Sequence, residues 1–256
     1  MGLPSWAPLA VLYLLSLSFA VKLPTGNVQL FHGSEGDILN LEDIRTKSGF
    51  PRDCDSIPKN SSSGVYVIQP EGSPPLVVWC NMDTKGQVWT VVQRNSYNTE
   101  LEWNDSWANY KYGFGDVQND YWLGNEYISL LTMQGAYKVR FVVQDASNNT
   151  HYAEYDTFSV DTESRGYALR LGRYTGAGKD LFTKEDVVHD NMKFSTYDKD
   201  QDLSSTTNCA EHYQGGWWHS KCYYVKLNGK GKNVWWSGVC VAGDCQSTLI
   251  LVKRVC

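Results

Sequence analysis

The sequence predicts an α+β protein, in which a mainly antiparallel sheet with a few helices precedes a loop-rich C-terminal part. Short runs rich in β-branched and aromatic residues alternate with turns rich in Pro, Gly, Asn and Asp. Two stretches between these runs place apolar residues three and four apart, which is the period of an amphipathic helix. The chain has 256 residues and can bury one large domain core or two small ones.

Residues 1–20 are predicted to be a secretory signal peptide. They contain an apolar run from Leu9 to Ala20, with small residues at Ser18 and Ala20, where a cleavage site prefers them. The run is too short for a membrane span, and no later stretch approaches that length. We therefore expect a secreted, extracellular protein with a short polar tail at residues 21–48 and a folded domain at residues 49–256.

The folded part is predicted to open with three antiparallel strands, over residues 64–69, 76–81 and 88–93. Cys54 and Cys80 flank the first hairpin, where a disulfide would tie the preceding segment to the second strand. Helical periods follow at residues 103–111 and 121–131. The remaining strands are predicted at residues 137–143, 152–160, 167–171 and 247–253.

Composition restricts the function classes. Seven cysteines suit an oxidising compartment, and an odd number leaves at least one thiol free or paired between chains. Glycosylation sequons occur at Asn60, Asn104 and Asn148. The net charge of −5, without a Lys/Arg cluster, argues against a nucleic-acid partner. Ten tryptophans and sixteen tyrosines favour carbohydrate or protein recognition, or equally an aromatic core.

An acidic loop between residues 194 and 222 is the strongest candidate site. Asp198, Asp200 and Asp202 alternate along it, and carboxylates on every second residue can converge on one hard cation. The loop is not an EF-hand, because Leu203 and Cys209 occupy the positions of the required Gly and Glu. The alternative is a run of Asx turns with solvated acids.

Several motifs, in this order, resemble the fibrinogen C-terminal domain family. They are SGVY at 63–66, WCNMD at 79–83, WANYKYGFG at 107–115, YWLGNE at 121–126, FSTYDKD at 194–200, NCA at 208–210 and GWW followed by Cys at 216–222. The similarity extends from about residue 50 to residue 254 and is that of a short stand-alone member. It implies a disulfide-tied N-terminal hairpin, a central sheet with helices and a loop-rich recognition part, with the bridges Cys54–Cys80 and Cys209–Cys222.

The same resemblance implies a calcium ion (Ca2+) in the acidic loop. The ligands would be the side chains of Asp200 and Asp202 and the carbonyl oxygens of Ser204 and Thr206, with Asp198 supporting them. The segment from Asp202 to Cys209 is one residue longer than the family spacing, which makes the two carbonyl ligands less secure than the carboxylates.

The resemblance also implies a recognition pocket with a cis peptide bond between Lys221 and Cys222. Its expected lining is Tyr213, Trp217, Lys221, Cys222 and Tyr223. Acetyl-binding members carry His where Tyr223 stands, and the segment between Gly229 and Trp235 lacks most of their aromatic-bearing loop. Tyr213 and the neighbouring tryptophans could instead belong to the core.

Three cysteines have no counterpart in the family bridges. Cys240 and Cys245 could close a tight loop, leaving Cys256 for an interchain disulfide, but pairing of Cys256 with Cys240 or with Cys245 stays open.

No catalytic motif is present, and the cysteines beside His212 and His219 suit a disulfide better than a zinc site. We therefore expect a binding protein and not an enzyme. One hypothesis is lectin-like pattern recognition of glycans or acetylated groups in innate immunity. The other is a non-lectin extracellular factor that binds a cell-surface receptor or matrix protein through the same face.

Overall fold

The structure is a computed structural model that describes residues 20–22, 28–30, 49–83, 86–176, 178–184 and 186–255. The chain divides into two compact units, Met1–Ile38 and Leu39–Cys256. The first contains a short antiparallel pair, β1 (Ala20–Lys22) and β2 (Val28–Leu30). Most of the predicted signal peptide and tail, together with Cys256, lie outside the described residues, so those predictions stand as they were made.

The described residues of the second unit form twelve further strands and three short helices. The strands are β3 (Gly64–Ile68), β4 (Leu76–Met82), β5 (Val88–Ser96), β6 (Phe114–Gly115), β7 (Tyr121–Trp122), β8 (Tyr137–Asp145), β9 (Thr150–Tyr155), β10 (Phe158–Val160), β11 (Leu169–Leu171), β12 (Val225–Lys226), β13 (Trp235–Trp236) and β14 (Cys245–Arg254). The helices are α1 (Trp107–Tyr112), α2 (Asn125–Met133) and α3 (Cys209–His212), and single 3-10 turns lie at Cys54–Ser56, Glu163–Arg165 and Gly231–Asn233.

The central sheet has the strand order β3-β4-β5-β14-β8-β9, and all neighbours are antiparallel. β14 therefore lies in the middle, between β5 and β8, although it follows every other strand in the sequence. Two small pairs, β10 with β11 and β12 with β13, lie outside this sheet. The α+β class is confirmed, and strands are present at the predicted positions, except that the strand predicted at 152–160 is split in two. Among the described residues no helix is long and apolar enough to cross a membrane.

The alternation of β8 shows why these segments are strands. Its residues are buried at every second position, from Tyr137 to Val143, and half-buried between them. A period of two places one set of side chains on the core face of a sheet. β9 and β10 show where this prediction was wrong, because the predicted strand at 152–160 is split and β10 pairs with β11 outside the sheet.

The two helices are shorter than the sequence predicted. α1 begins at Trp107, where the hydroxyl of Ser106 accepts a hydrogen bond from the amide of Asn109 at 3.3 Å. The predicted start of the second helix at residue 121 was wrong, because β7 pairs there with β5 and β6. Gly124 separates β7 from α2 with a φ of +111°, a backbone angle that non-glycine residues rarely adopt.

Aromatic side chains form much of the core. The largest fully buried ones are Trp89, Trp103, Trp122, Trp217, Trp218, Tyr110, Tyr121, Tyr137, Tyr155, Tyr167, Phe141 and Phe158. Phe194, at the start of the acidic loop, packs against Tyr110, Trp122 and Trp218 with ring centroids 5.1–5.8 Å apart. The loop-rich part is therefore anchored by rings on α1 and β7, and the core alternative holds for most of the aromatic composition.

Three disulfides are present among the described residues. Cys54–Cys80 ties the segment before β3 to β4, and Cys209–Cys222 closes the acidic loop, as the resemblance implied. Cys240–Cys245 closes the short loop that leads into β14, which is the first of the pairings that the sequence left open.

Candidate functional site

The acidic loop is folded around its own carboxylates. Asp202 accepts hydrogen bonds from the amides of Ser204 (2.7 Å) and Cys209 (2.8 Å), one on each oxygen. Asp200 accepts one from the amide of Asp202 at 3.1 Å. The bonds from Ser204 to Asp202 and from Asp202 to Asp200, each two residues apart, are Asx turns of the alternative interpretation. They also fix both carboxylates in one short stretch of chain.

The electrostatics of this loop suit a cation. Burial raises the pKa of Asp202, and the neighbouring Asp200 carboxylate raises it further, although the amides of Cys209 and Ser204 oppose the shift. A cation between the two carboxylates would relieve that repulsion. The carbonyl oxygens of Ser204 and Thr206 accept no hydrogen bond from the described residues. These four groups fit calcium, which takes oxygen ligands and water.

Few side chains of the acidic loop are available as metal ligands. No group of three or more His, Cys, Asp or Glu side chains that could hold a metal occurs in the described part of the chain. Asp198, expected beside the metal ligands, instead accepts hydrogen bonds from the amide of Trp107 (2.8 Å) and the hydroxyl of Thr196 (2.7 Å). It fixes the start of the loop to α1. Any calcium would therefore depend on two carboxylates, with carbonyl oxygens and water completing its shell.

Backbone hydrogen bonds connect the acidic loop to the predicted pocket. The amide of Leu203 donates to the carbonyl of Ser220 at 3.0 Å, and the amide of Ser220 donates to the carbonyl of Cys222 at 2.8 Å. The Lys221–Cys222 peptide bond is cis, at the position that the resemblance implied. Ordering of the acidic loop would therefore act directly on the cis segment.

Two of the predicted pocket residues, Tyr213 and Tyr223, lie at an aromatic surface. Tyr213 is 37% exposed, and its ring packs edge-on against Tyr223 with centroids 4.9 Å apart. His212 packs on Tyr213 at 4.6 Å, and Trp235 lies 6.3 Å from Tyr223. We call His212, Tyr213, Tyr223 and Trp235 the aromatic patch. Lys221 is exposed beside it, while Cys222 is half-buried in the disulfide.

Sequence reasoning did not assign His212 and Trp235 to this site. His212 directly precedes Tyr213, and Trp235 ends the shortened loop, so both were visible as neighbours of named residues. Only the packing of that loop against Tyr223 places Trp235 on the patch.

Trp217 lies in the core and does not line an exposed pocket. It is fully buried, packs against Trp218 at 5.2 Å and accepts a backbone hydrogen bond from Ser195 at 2.9 Å. Its indole Nε1 has no hydrogen-bond partner among the described residues. Trp217 thus anchors this part of the chain in the core, four residues before the cis peptide bond between Lys221 and Cys222.

Two buried polar side chains lie near the aromatic patch. His219 donates from Nε2 to the carbonyl of Gly215 (3.1 Å), and its Nδ1 has no partner in the described structure. Burial lowers the pKa of His219 to about 3. Lys226 is also fully buried and donates to the carbonyl of Asn228 at 3.0 Å. Burial lowers the pKa of Lys226 to about 7.

A buried network joins this region to the central sheet. Gln93 of β5 donates to the side chain of Asn228 at 3.1 Å, and Asn95 donates to the carbonyl of Gly229 at 2.7 Å. Asn228 in turn donates to the carbonyl of Gly216 at 3.1 Å. The segments beneath the patch are therefore positioned by the rigid sheet and not only by their own loops.

A separate cleft of about 580 Å³ lies against α2. It is lined by Glu71, Lys111, Glu126, Ser129, Leu130, Met133, Gln134, Thr162, Glu163 and Ser164. Its only cation, Lys111, already pairs with Glu163 at 2.6 Å. The cleft shares no residue with the predicted pocket.

The three sequons lie on the surface. Asn60, Asn104 and Asn148 are all exposed, and Asn148 is in the turn between β8 and β9. Each asparagine is accessible to glycosylation, which stays a prediction.

Proteins of known sequence and structure are similar to this chain over most of its folded part. Residues 50–244 match the model of the C-terminal globular domain of the fibrinogen beta and gamma chains. The fibrinogen-like protein 1-like protein of Gallus gallus is 60% identical over 196 residues, 75% of this chain and 69% of that protein. Techylectin-5A of Tachypleus tridentatus is 41% identical over 186 residues, 70% of this chain and 62% of that protein.

A protein domain of known structure has a similar fold. The fibrinogen-like globe domain of human ANGPTL2 aligns with a TM-score of 0.74 and 33% sequence identity, covering 80% of this chain and 99% of that domain.

Proposed function

Because this chain belongs to the fibrinogen C-terminal domain family, we propose that it is an extracellular, calcium-stabilised recognition module that binds glycans or acetylated groups. The observation that carries this proposal is the continuous hydrogen-bonded path from Asp202 through Leu203 and Ser220 to the cis segment. The name of Techylectin-5A, a relative at 41% identity, supports a lectin-like activity.

In this proposal the acidic loop binds calcium, and the aromatic patch contacts the ligand. Calcium, when bound, would neutralise the carboxylates of Asp200 and Asp202. The aromatic patch would contact the ligand, because the faces of Tyr223 and Trp235 can pack against sugar rings and acetyl methyl groups. Since the metal ligands do not belong to the patch, calcium would act by ordering the loop.

Calcium dependence is the direct test of this proposal. We expect binding to immobilised N-acetylglucosamine in calcium buffer, loss of that binding in EDTA, and a melting temperature several degrees higher with calcium because the ion binds only the folded state. Binding retained in EDTA would contradict the calcium role. A failure to bind any glycan on an array would contradict the lectin-like role.

Asp202→Asn should remove the calcium effect. We expect at least a tenfold loss of calcium affinity, because one of two charged ligands becomes neutral. Isothermal titration with calcium and melting curves measure this. Asp244→Asn is the matched control, since Asp244 is exposed and lies outside the acidic loop. An unchanged calcium titration for Asp202→Asn would remove the proposed metal site.

A second candidate is a non-lectin factor that binds a receptor or matrix protein through the same face. The burial of Trp217 favours it, because the patch then lacks one expected wall and is open, as at a protein interface. A panel of receptor ectodomains and matrix proteins, compared with a glycan array, separates the two candidates. Binding to an ectodomain that Tyr213→Ala and Trp235→Ala abolish would favour this second function.

A further inference from the structure

We propose that Lys226 makes the aromatic patch selective for ligands that carry a carboxylate, and for acidic sugars in particular. The inference rests on the proposed recognition function and adds the charge class of the ligand. It concerns a lysine inside the protein, whereas Lys221 beside the patch is exposed to solvent.

The first observation is a buried lysine whose amino group has no carboxylate partner among the described residues. Lys226 is fully buried, and its ammonium donates one hydrogen bond, to the carbonyl of Asn228 at 3.0 Å. None of the carboxylates in the described residues forms an ion pair with it. A buried charge is costly unless it is paired, so an unpaired one favours a function that supplies the partner.

The second observation is its position beneath the patch. The ammonium nitrogen lies 5.8 Å from the centre of the Tyr223 ring. A methyl group added at Gly229 would lie 2.7 Å from this nitrogen, and one added at Gly215 would lie 3.3 Å from it. Two glycines therefore pack closely around the ammonium, and Tyr223, a member of the patch, lies over it.

The third observation is that neither of the two rings near Lys226 carries a charge at pH 7. The titratable groups that face it are His219 and Tyr223, whose rings lie 5.9 Å apart. Burial lowers the pKa of His219 to about 3 and raises that of Tyr223 to about 12, so both are neutral at pH 7. His219 Nδ1 is also buried without a partner among the described residues. Lys226 is the remaining group of this set that can carry a charge, and because burial lowers its pKa to about 7, about half of the molecules carry the ammonium at pH 7. A carboxylate bound nearby would favour the protonated form.

In its protonated form Lys226 would attract an anionic group of a ligand bound at the patch. Opposite unit charges several ångströms apart attract by about tenfold or more in binding when the effective dielectric constant is near that of a protein, roughly 20. A carboxylate at the patch would gain this attraction, and a neutral ligand of the same shape would not. In the alternative, Lys226 only stabilises the fold through its hydrogen bond to the carbonyl of Asn228, and an uncharged hydrogen-bond donor could replace it.

The test compares two ligands that differ only in charge. The probes are the α-methyl glycoside of N-acetylneuraminic acid and its carboxyl methyl ester, with N-acetylglucosamine as a third, neutral ligand, each titrated at pH 7 in calcium buffer. We expect the acid to bind at least tenfold more tightly than the ester. Equal affinities would overturn the inference and leave the proposed function standing. Binding of none of the three would overturn both.

Variants assign the preference to this residue. Lys226→Met keeps the aliphatic length, and we expect it to bind the acid and the ester with equal affinity. Lys226→Arg should restore the preference. Lys232→Met, at an exposed lysine of the neighbouring 3-10 turn, should retain it. An acid preference that survives in Lys226→Met would overturn the inference, and if that variant does not fold, the comparison of the acid and the ester on the unsubstituted protein decides.

Discussion

His189 shows how one buried side chain connects the loop-rich part. Its Nδ1 lies 2.9 Å from the carbonyl of Trp218, while Nε2 accepts hydrogen bonds from the amides of Val225 (3.1 Å) and Tyr224 (3.3 Å). Two amide donors on Nε2 require the neutral ring with its proton on Nδ1. The tryptophan pair and β12 are thus joined by one imidazole.

The stability of the protein should therefore fall in mild acid. Burial lowers the pKa of His189 to about 4, although its hydrogen bond to Trp218 opposes this. An unfolded histidine titrates near 6.5, so between these values the unfolded state binds more protons. The free energy of unfolding should be highest above about pH 6.5 and should fall towards pH 4, by roughly 3 kcal/mol from this group.

Urea denaturation between pH 4 and pH 7 measures this dependence. His189→Gln should lower stability at pH 7 and reduce the slope, because this titrating group is absent while the buried His219, whose pKa is also lowered, still contributes. His212→Gln, at an exposed histidine, is the control and should keep the slope. If His189→Gln retained the slope of the unsubstituted protein, the titration would have to be assigned to other groups.

Gly124 is a second single residue on which the fold depends, through its backbone conformation. Its φ of +111° turns the chain from β7 into α2, and a methyl group there would lie 2.8 Å from the amide nitrogen of Gly113. Gly124→Ala should lower the free energy of unfolding by about 3 kcal/mol, because strain and a backbone clash act together. Gly238→Ala is the matched control, since its φ is +74° with no atom within 4 Å, and it should cost only about 1 kcal/mol. Equal losses, measured by urea denaturation, would show that the close approach to Gly113 has no effect.

Among the elements, strands of the central sheet were predictable because burial on one face leaves a period of two in the sequence, as in β8. The first residues of the predicted second helix were not, because Tyr121 and Trp122 also suit a strand. Their partners are Gln93 and Arg94 of β5, nearly thirty residues earlier, and no local pattern records that pairing. The break between β9 and β10 has the same origin, since β10 pairs with β11.

The candidate site was predictable in part for a related reason. The acidic loop has its carboxylates, its turns and its disulfide within one short segment, so its chemistry could be derived locally. The aromatic patch is formed by residues at the end of α3, by Tyr223 next to the cis peptide bond and by Trp235 of β13. Only the tertiary fold brings these three segments together. Burial of Trp217 likewise depends on the tertiary fold, since the distant His189 packs against its ring.

On the scale of the whole molecule, Gln93 connects the central sheet to the segment beneath the aromatic patch by hydrogen bonds. It is fully buried and hydrogen-bonds to Thr248 of β14 (2.9 Å) as well as to Asn228 beneath the patch (3.1 Å). Gln93→Leu should lower the free energy of unfolding by about 2 kcal/mol, because Asn228 and Thr248 lose buried partners. It should also weaken ligand binding at the patch, although Gln93 is not part of the patch.

Melting curves and ligand titrations on the same variant test this coupling. Gln144→Leu, at a half-buried glutamine of β8, is the control and should leave ligand affinity unchanged. A Gln93→Leu protein that is destabilised but binds with unchanged affinity would show that the network supports the fold alone.

The place of β14 also has a consequence for biosynthesis. Translation proceeds from the N-terminus, so β5 and β8 emerge from the ribosome before the strand that separates them in the finished sheet. Until β14 arrives, both present unpaired backbone groups and apolar faces, which favour association with other chains. Pairing of the central sheet can therefore be completed only after β14 has been synthesised, and until then the facing edges of β5 and β8 are open to association with other chains.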